Sequence, residues 1–162
     1  MPTPQSKGDS RCEDQSLDRE ATHTLEESRM VLPGVQALFG FQLVAVYNAP
    51  FEKLLSPGEQ RLHLLGLLTT AVAIALLMSP AAYQRQAEPH AITERFVRFS
   101  SVLLTLGMFV LMLSIQVDCY LIARIILKER LPSLLVTIGL GVLFSCLWFV
   151  VPRLLRKRSQ AS

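Results

Sequence analysis

Residues 62–78 read LHLLGLLTTAVAIALLM and residues 133–151 read SLLVTIGLGVLFSCLWFVV, and neither stretch holds an Asp, Glu, Lys or Arg. A soluble helix returns a polar residue to its outer face every third or fourth position. These two runs have no such period, and each approaches the roughly 20 apolar residues that a helix needs to cross a hydrocarbon core of about 30 Å. Working outward, two further runs have the same character. Residues 30–48 are interrupted by Gln36 and Gln42, and residues 99–127 carry Gln116, Asp118 and Arg124 in their later half.

The breaks between the runs are punctuated. Asn48-Ala49-Pro50 and Ser56-Pro57-Gly58 bound a first loop, Ser79-Pro80 predicts an end to the second helix, and Val151-Pro152 predicts an end to the fourth. Leu131-Pro132-Ser133 reads as a tight hairpin. The expected fold is therefore all-α, a four-helix transmembrane bundle over residues 30–151, with spans at about 30–48, 62–79, 99–127 and 133–151. Loops this short make sequential helices antiparallel neighbours.

Composition agrees with this reading. The chain of 162 residues is 51% hydrophobic and 18% charged, although its first 29 residues are strongly polar. Those 29 hold four Lys/Arg and seven Asp/Glu, a net of −3, so residues 30–162 carry +6 of a total of +3. Residues 1–15 are rich in Pro, Ser and charge and read as a disordered tail. From Ser16, a suitable N-cap, to Arg29 the composition turns helix-forming, which predicts a short amphipathic surface helix. No apolar run in residues 1–29 resembles a cleavable signal peptide.

Basic residues orient the spans. The segments before the first span, between the second and third (80–98) and after the fourth (152–162) hold 11 Lys/Arg, against 4 in the two remaining loops. The positive-inside rule then places both termini in the cytoplasm of a cell inner (plasma) membrane protein. The final run Arg153, Arg156, Lys157 and Arg158 anchors the last span and favours anionic lipids.

The stretch Glu27-Ser-Arg29-Met-Val-Leu-Pro33-Gly34-Val-Gln36-Ala-Leu-Phe39-Gly-Phe41, with Ser79-Pro-Ala-Ala-Tyr83-Gln-Arg85 further on, resembles a bacterial family of small four-helix membrane proteins of unknown function. Its marks are an E-x-R…LPGVQ-x-LF-x-F block and a P-x-A-Y-H-R block, and the histidine of the latter is Gln84 here. The resemblance covers about residues 16–127 and implies the fold and a membrane location. Some members of that family carry a sodium:proton antiporter label.

Among the polar groups, Asp118 stands out, because an ionised carboxylate within hydrocarbon must be paired, solvated or protonated. It is either an interfacial carboxylate held by a neighbouring base or a deeper group on an ion path. Arg124, six residues on, faces about 120° away around the helix and cannot pair with it locally. His63 opens the second span on the same side and makes a candidate proton pair with Asp118, with Gln42 and Tyr47 as further partners. On the cytoplasmic side Glu27, Arg29, Tyr83, Arg85 and Arg98 form a candidate clasp. Pro33 and Gly34 predict a kink, and Gln36 a hydrogen bond to a neighbouring helix. Ser133, Thr137, Gly141 and Ser145 form a small-residue row for close helix packing, inside the bundle or in a homo-oligomer.

The three histidines, His23, His63 and His90, are scattered, and Cys12, Cys119 and Cys146 lie far apart. With no G-x-x-x-x-G-K, G-x-S-x-G or H-E-x-x-H pattern, the expectation is a protein with no enzyme activity, catalytic residue, metal or cofactor, and no nucleic-acid partner. Two functions remain open: a structural or accessory membrane component, or a small oligomeric proton- or cation-coupled transporter using Asp118.

Overall fold

The computed structural model describes residues 4–48, 51–87 and 93–159. The tail ends 1–3 and 160–162, and the segments 49–50 and 88–92 with Pro50 and His90, lie outside the described residues. All regular structure among the described residues is helical: α1 (Pro4–Tyr47), α2 (Phe51–Leu54), α3 (Pro57–Ala87), α4 (Glu94–Leu127), α5 (Arg130–Ser145), a π-helical turn (Cys146–Val150) and α6 (Val151–Ser159). Four stretches are long and apolar enough to cross a membrane: Arg29–Tyr47, Pro57–Gln86, Arg95–Leu127 and Arg130–Leu155.

The distribution of side chains is that of a membrane bundle. Large apolar residues such as Met30, Phe41, Leu64, Leu65, Ile126, Leu134, Leu135 and Val142 are exposed, while Thr70, Ser100, Ser114 and Ser133 are fully buried. A soluble monomer does not tolerate so continuous an apolar surface. A bilayer accepts it, and leaves the interior to small and hydrogen-bonding residues.

Several helices outrun their sequence signals. α1 is continuous from Pro4, so it includes residues 4–15, where composition suggests disorder, and passes through Pro33. α3 continues through Pro80 to Ala87, beyond the stop expected at Ser79-Pro80. The physical reason is tertiary: Pro80 and Leu77 are among the most completely buried side chains, so packing outweighs the one backbone hydrogen bond that proline removes. Near Pro152 the helix widens instead of stopping, and the Val151 N–H donates to the Cys146 carbonyl five residues back.

The chain divides into two compact units, Met1–Phe41 with Thr70–Val110, and Gln42–Thr69 with Leu111–Ser162. In the first, a Cβ added at Gly107 would stand 3.0 Å from the Leu77 side chain, so glycine sets the approach of α4 to α3. Tyr83 stacks on buried Phe96 at 5.8 Å and tilts against Phe99 at 5.4 Å.

In the second unit, Ser56 and Glu59 form a capping box at the start of α3. The Ser56 N–H and hydroxyl donate to Glu59 Oε2 at 2.9 and 2.7 Å, and the Glu59 N–H donates to Ser56 Oγ at 3.4 Å. The other carboxylate oxygen, Oε1, accepts from Arg124 Nε at 2.9 Å, which ties α4 to the start of α3. Arg124 thus finds its partner on another helix, as its angular distance from Asp118 requires.

α4 turns into α5 over two residues. Lys128 takes φ 57° and donates its N–H to the Arg124 carbonyl at 3.0 Å, and Glu129 is extended at φ −119°. Pro132 therefore sits in the first turn of α5, where its missing N–H costs little. A lysine in left-handed backbone is disfavoured by about 1 kcal/mol relative to glycine. Lys128→Gly is accordingly expected to raise the thermal unfolding midpoint in detergent, and Lys128→Val to lower it.

Candidate functional site

Three helix segments of the second unit converge on one polar cluster. Gln42 comes from the last turns of α1, His63 from the second turn of α3, and Ser114 and Asp118 from one face of α4, a helical turn apart. Gln42 Nε2 donates to Asp118 Oδ2 at 2.5 Å and to Ser114 Oγ at 3.2 Å. The Ser114 hydroxyl donates onward to the main-chain carbonyl of Gly66 at 3.0 Å. His63 Nε2 stands 3.0 Å from the Gln42 carbonyl, and its Nδ1 stands 4.0 Å from Asp118 Oδ1.

This geometry fixes the imidazole chemistry. A carbonyl oxygen only accepts, so His63 Nε2 carries a proton in either charge state. Its Nδ1 faces the carboxylate. The Asp118 side chain is 14% exposed and Gln42 as a residue 4%. Close approach of α3 is enforced by Gly66, where an added Cβ would meet Val117 Cγ1 at 3.0 Å and Asp118 Oδ1 at 3.8 Å. One acceptor, Gln42 Oε1, is buried with no hydrogen-bond partner.

A second tie joins α4 to α5. With its amide oriented to satisfy both groups, Gln116 donates to the Thr137 carbonyl at 2.7 Å and accepts from the Gly141 N–H at 3.1 Å. Those two main-chain groups are one helical bond of α5 apart, so the amide spans that rung from outside. An added Cβ at Gly141 would stand 3.4 Å from the Gln116 amide. Ser133 is buried and donates to the Glu129 carbonyl at 2.6 Å, Thr137 donates to the Ser133 carbonyl at 2.9 Å, and Ser145 donates to Met112 Sδ at 3.7 Å. The small-residue row of α5 therefore faces α4.

The structure brings together Asp118, His63 and Gln42, and leaves Tyr47 88% exposed and apart from them. Ser114, Gln116 and Glu59 are the participants that the sequence did not single out. Ser114 carried a signal, its four-residue spacing from Asp118, whereas the Gln116 contact to backbone has no mark in composition. On the opposite side of the sequence pattern, Arg29, Arg85 and Arg98 are exposed, and among the described residues they form no ion pair. Tyr83 packs with the two phenylalanines, and Glu27 is placed on α1 by its backbone alone. Pro33, Gly34 and Gln36 face outward, because the buried stripe of α1 runs through Val35 and Gln42, two turns apart. No group of three or more potential metal-ligating side chains occurs among the described residues.

Replacing Gln116 by leucine removes both bonds to α5 at nearly constant volume. Bonds between membrane helices are worth on the order of 0.6–2 kcal/mol, so Gln116→Leu is expected to destabilise the protein by about 1–2 kcal/mol in detergent unfolding.

Residues 10–152 match the model of a family of unknown function, DUF6328. No curated protein and no solved structure matches the chain.

Proposed function

The chain belongs to DUF6328, a family of unknown function, and from that premise we propose that it is a non-enzymatic structural or accessory component of the bacterial inner membrane, with both termini cytoplasmic. The observation that carries this reading is the hold on Asp118: Gln42 donates to it and to Ser114, and His63 Nδ1 stands 4.0 Å from it. Here one oxygen accepts from an amide and the other faces an imidazole, so the group serves as a fastener between α1, α3 and α4. The excess of Lys/Arg in the two tails and in the 80–98 loop supports the orientation.

Depth supports the fastening role. If the bilayer is centred on Arg95–Leu127, Asp118 lies roughly 10 Å from the midplane and Arg124 roughly 20 Å, at about 1.5 Å per residue. The carboxylate is then within the hydrocarbon, where unpaired charge is most costly, and the Glu59–Arg124 pair lies at the boundary. The basic run Arg153, Arg156, Lys157 and Arg158 anchors the last helix at the cytoplasmic surface against anionic headgroups.

One observation favours a second reading, a small oligomeric proton- or cation-coupled transporter. His63 Nδ1 and Asp118 Oδ1 stand 4.0 Å apart in a membrane-length segment, and such a pair can exchange a proton. Proteoliposomes holding an interior pH dye distinguish the two under sodium and potassium gradients. The fastening role predicts identical traces for wild type and Asp118→Asn, with Asp118→Leu less stable by about 1–2 kcal/mol. Proton flux in wild type that disappears in a normally folded Asp118→Asn would overturn it in favour of transport.

A further inference from the structure

Gln36 is the polar side chain of α1 that points out of the protein well inside a span. It lies in Arg29–Tyr47, roughly 10 Å from one end and roughly 16 Å from the other at about 1.5 Å per residue. It is exposed, and among the described residues its amide makes no hydrogen bond. A glutamine side chain is too short to reach either interface from that depth. Outside the protein the surroundings are hydrocarbon, which offers no partner and makes an unsatisfied amide strongly unfavourable.

From this position we propose that the outward face of α1 is an interface with a second copy of the chain, closed by reciprocal hydrogen bonds between the two Gln36 amides. An amide is both donor and acceptor, so two related by a two-fold axis satisfy each other, the self-complementarity that an isologous contact requires. The helix face suits close approach. Pro33, Ala37 and Gly40 surround Gln36 on the side opposite buried Val35, and an added Cβ at Gly40 meets nothing within 4 Å. On this part of α1 the buried residue is Val35, while Pro33, Gln36 and Ala37 are exposed. Arg29, two turns before Gln36 on the same face, lies at the end of the span, where headgroups screen its repulsion from its counterpart.

The interface is independent of whether Asp118 fastens or transports. It also differs from the small-residue row of α5, which is occupied by α4 within one chain.

The test is self-association of the full chain in lipid vesicles, read by energy transfer between donor- and acceptor-labelled copies over a range of protein-to-lipid ratios. Wild type should dimerise, and Gln36→Leu should weaken the dimer at least tenfold while leaving the monomer's unfolding midpoint unchanged, since among the described residues the Gln36 amide makes no hydrogen bond. Gly40→Leu, at a position where an added Cβ meets nothing within 4 Å, should weaken it likewise and keeps the experiment decisive if the first variant inserts poorly. A wild type that stays monomeric at every ratio, or variants that associate as wild type does, would overturn the proposal.

Discussion

Within a bilayer, apolar side chains gain little by leaving lipid for one another, so the contacts between helices must come from hydrogen bonds and close backbone approach. The rest of this structure depends on that constraint. It explains why Thr70, Ser100, Ser114 and Ser133 are fully buried while leucines and valines line the outside. It also explains why the strongest interhelical ties are polar: Gln42 and His63 on Asp118, Gln116 on the backbone of α5, and Glu59 on Arg124. Glycine acts beside each buried tie, Gly66 letting α3 reach Asp118 and Gly141 letting α5 reach Gln116.

The polar ties differ in what they connect, and that difference gives each a separate effect. The Asp118 cluster joins side chains from three helix segments and sets the His63 ring 4.0 Å from the carboxylate. The Gln116 amide reaches main-chain atoms instead, so it holds α5 by its backbone at a point where glycine leaves room for it. The Glu59–Arg124 pair is coupled to a capping box, so the same carboxylate begins α3 and ties it to α4. Loss of that one residue therefore acts on a local and a tertiary interaction together.

Much of this was legible in the sequence, and the reasons are physical. Apolar length marks a membrane helix in a way no soluble helix imitates, so all four spans could be read from residues 30–48, 62–79, 99–127 and 133–151. The nearness of His63 to Asp118 followed from antiparallel neighbours and position along each span. What could not be read was rotation of each helix about its axis. Gln36 and Gln42 look alike in sequence, yet six residues separate them by about 120° around α1, which leaves one facing out and the other buried. Prolines misled for a related reason: Pro80 is a local stop signal, but its burial keeps α3 going.

The two-residue turn at Lys128 and Glu129 has a consequence for how the chain enters its membrane. In α4, Asp118 and Arg124 each raise the cost of transfer at depth. The run from Ser133 to Val151 has no Asp, Glu, Lys or Arg and enters more readily. A connection this short favours entry of the two helices together as a hairpin. The most apolar segment of the chain thereby carries in the segment that holds its most costly residue.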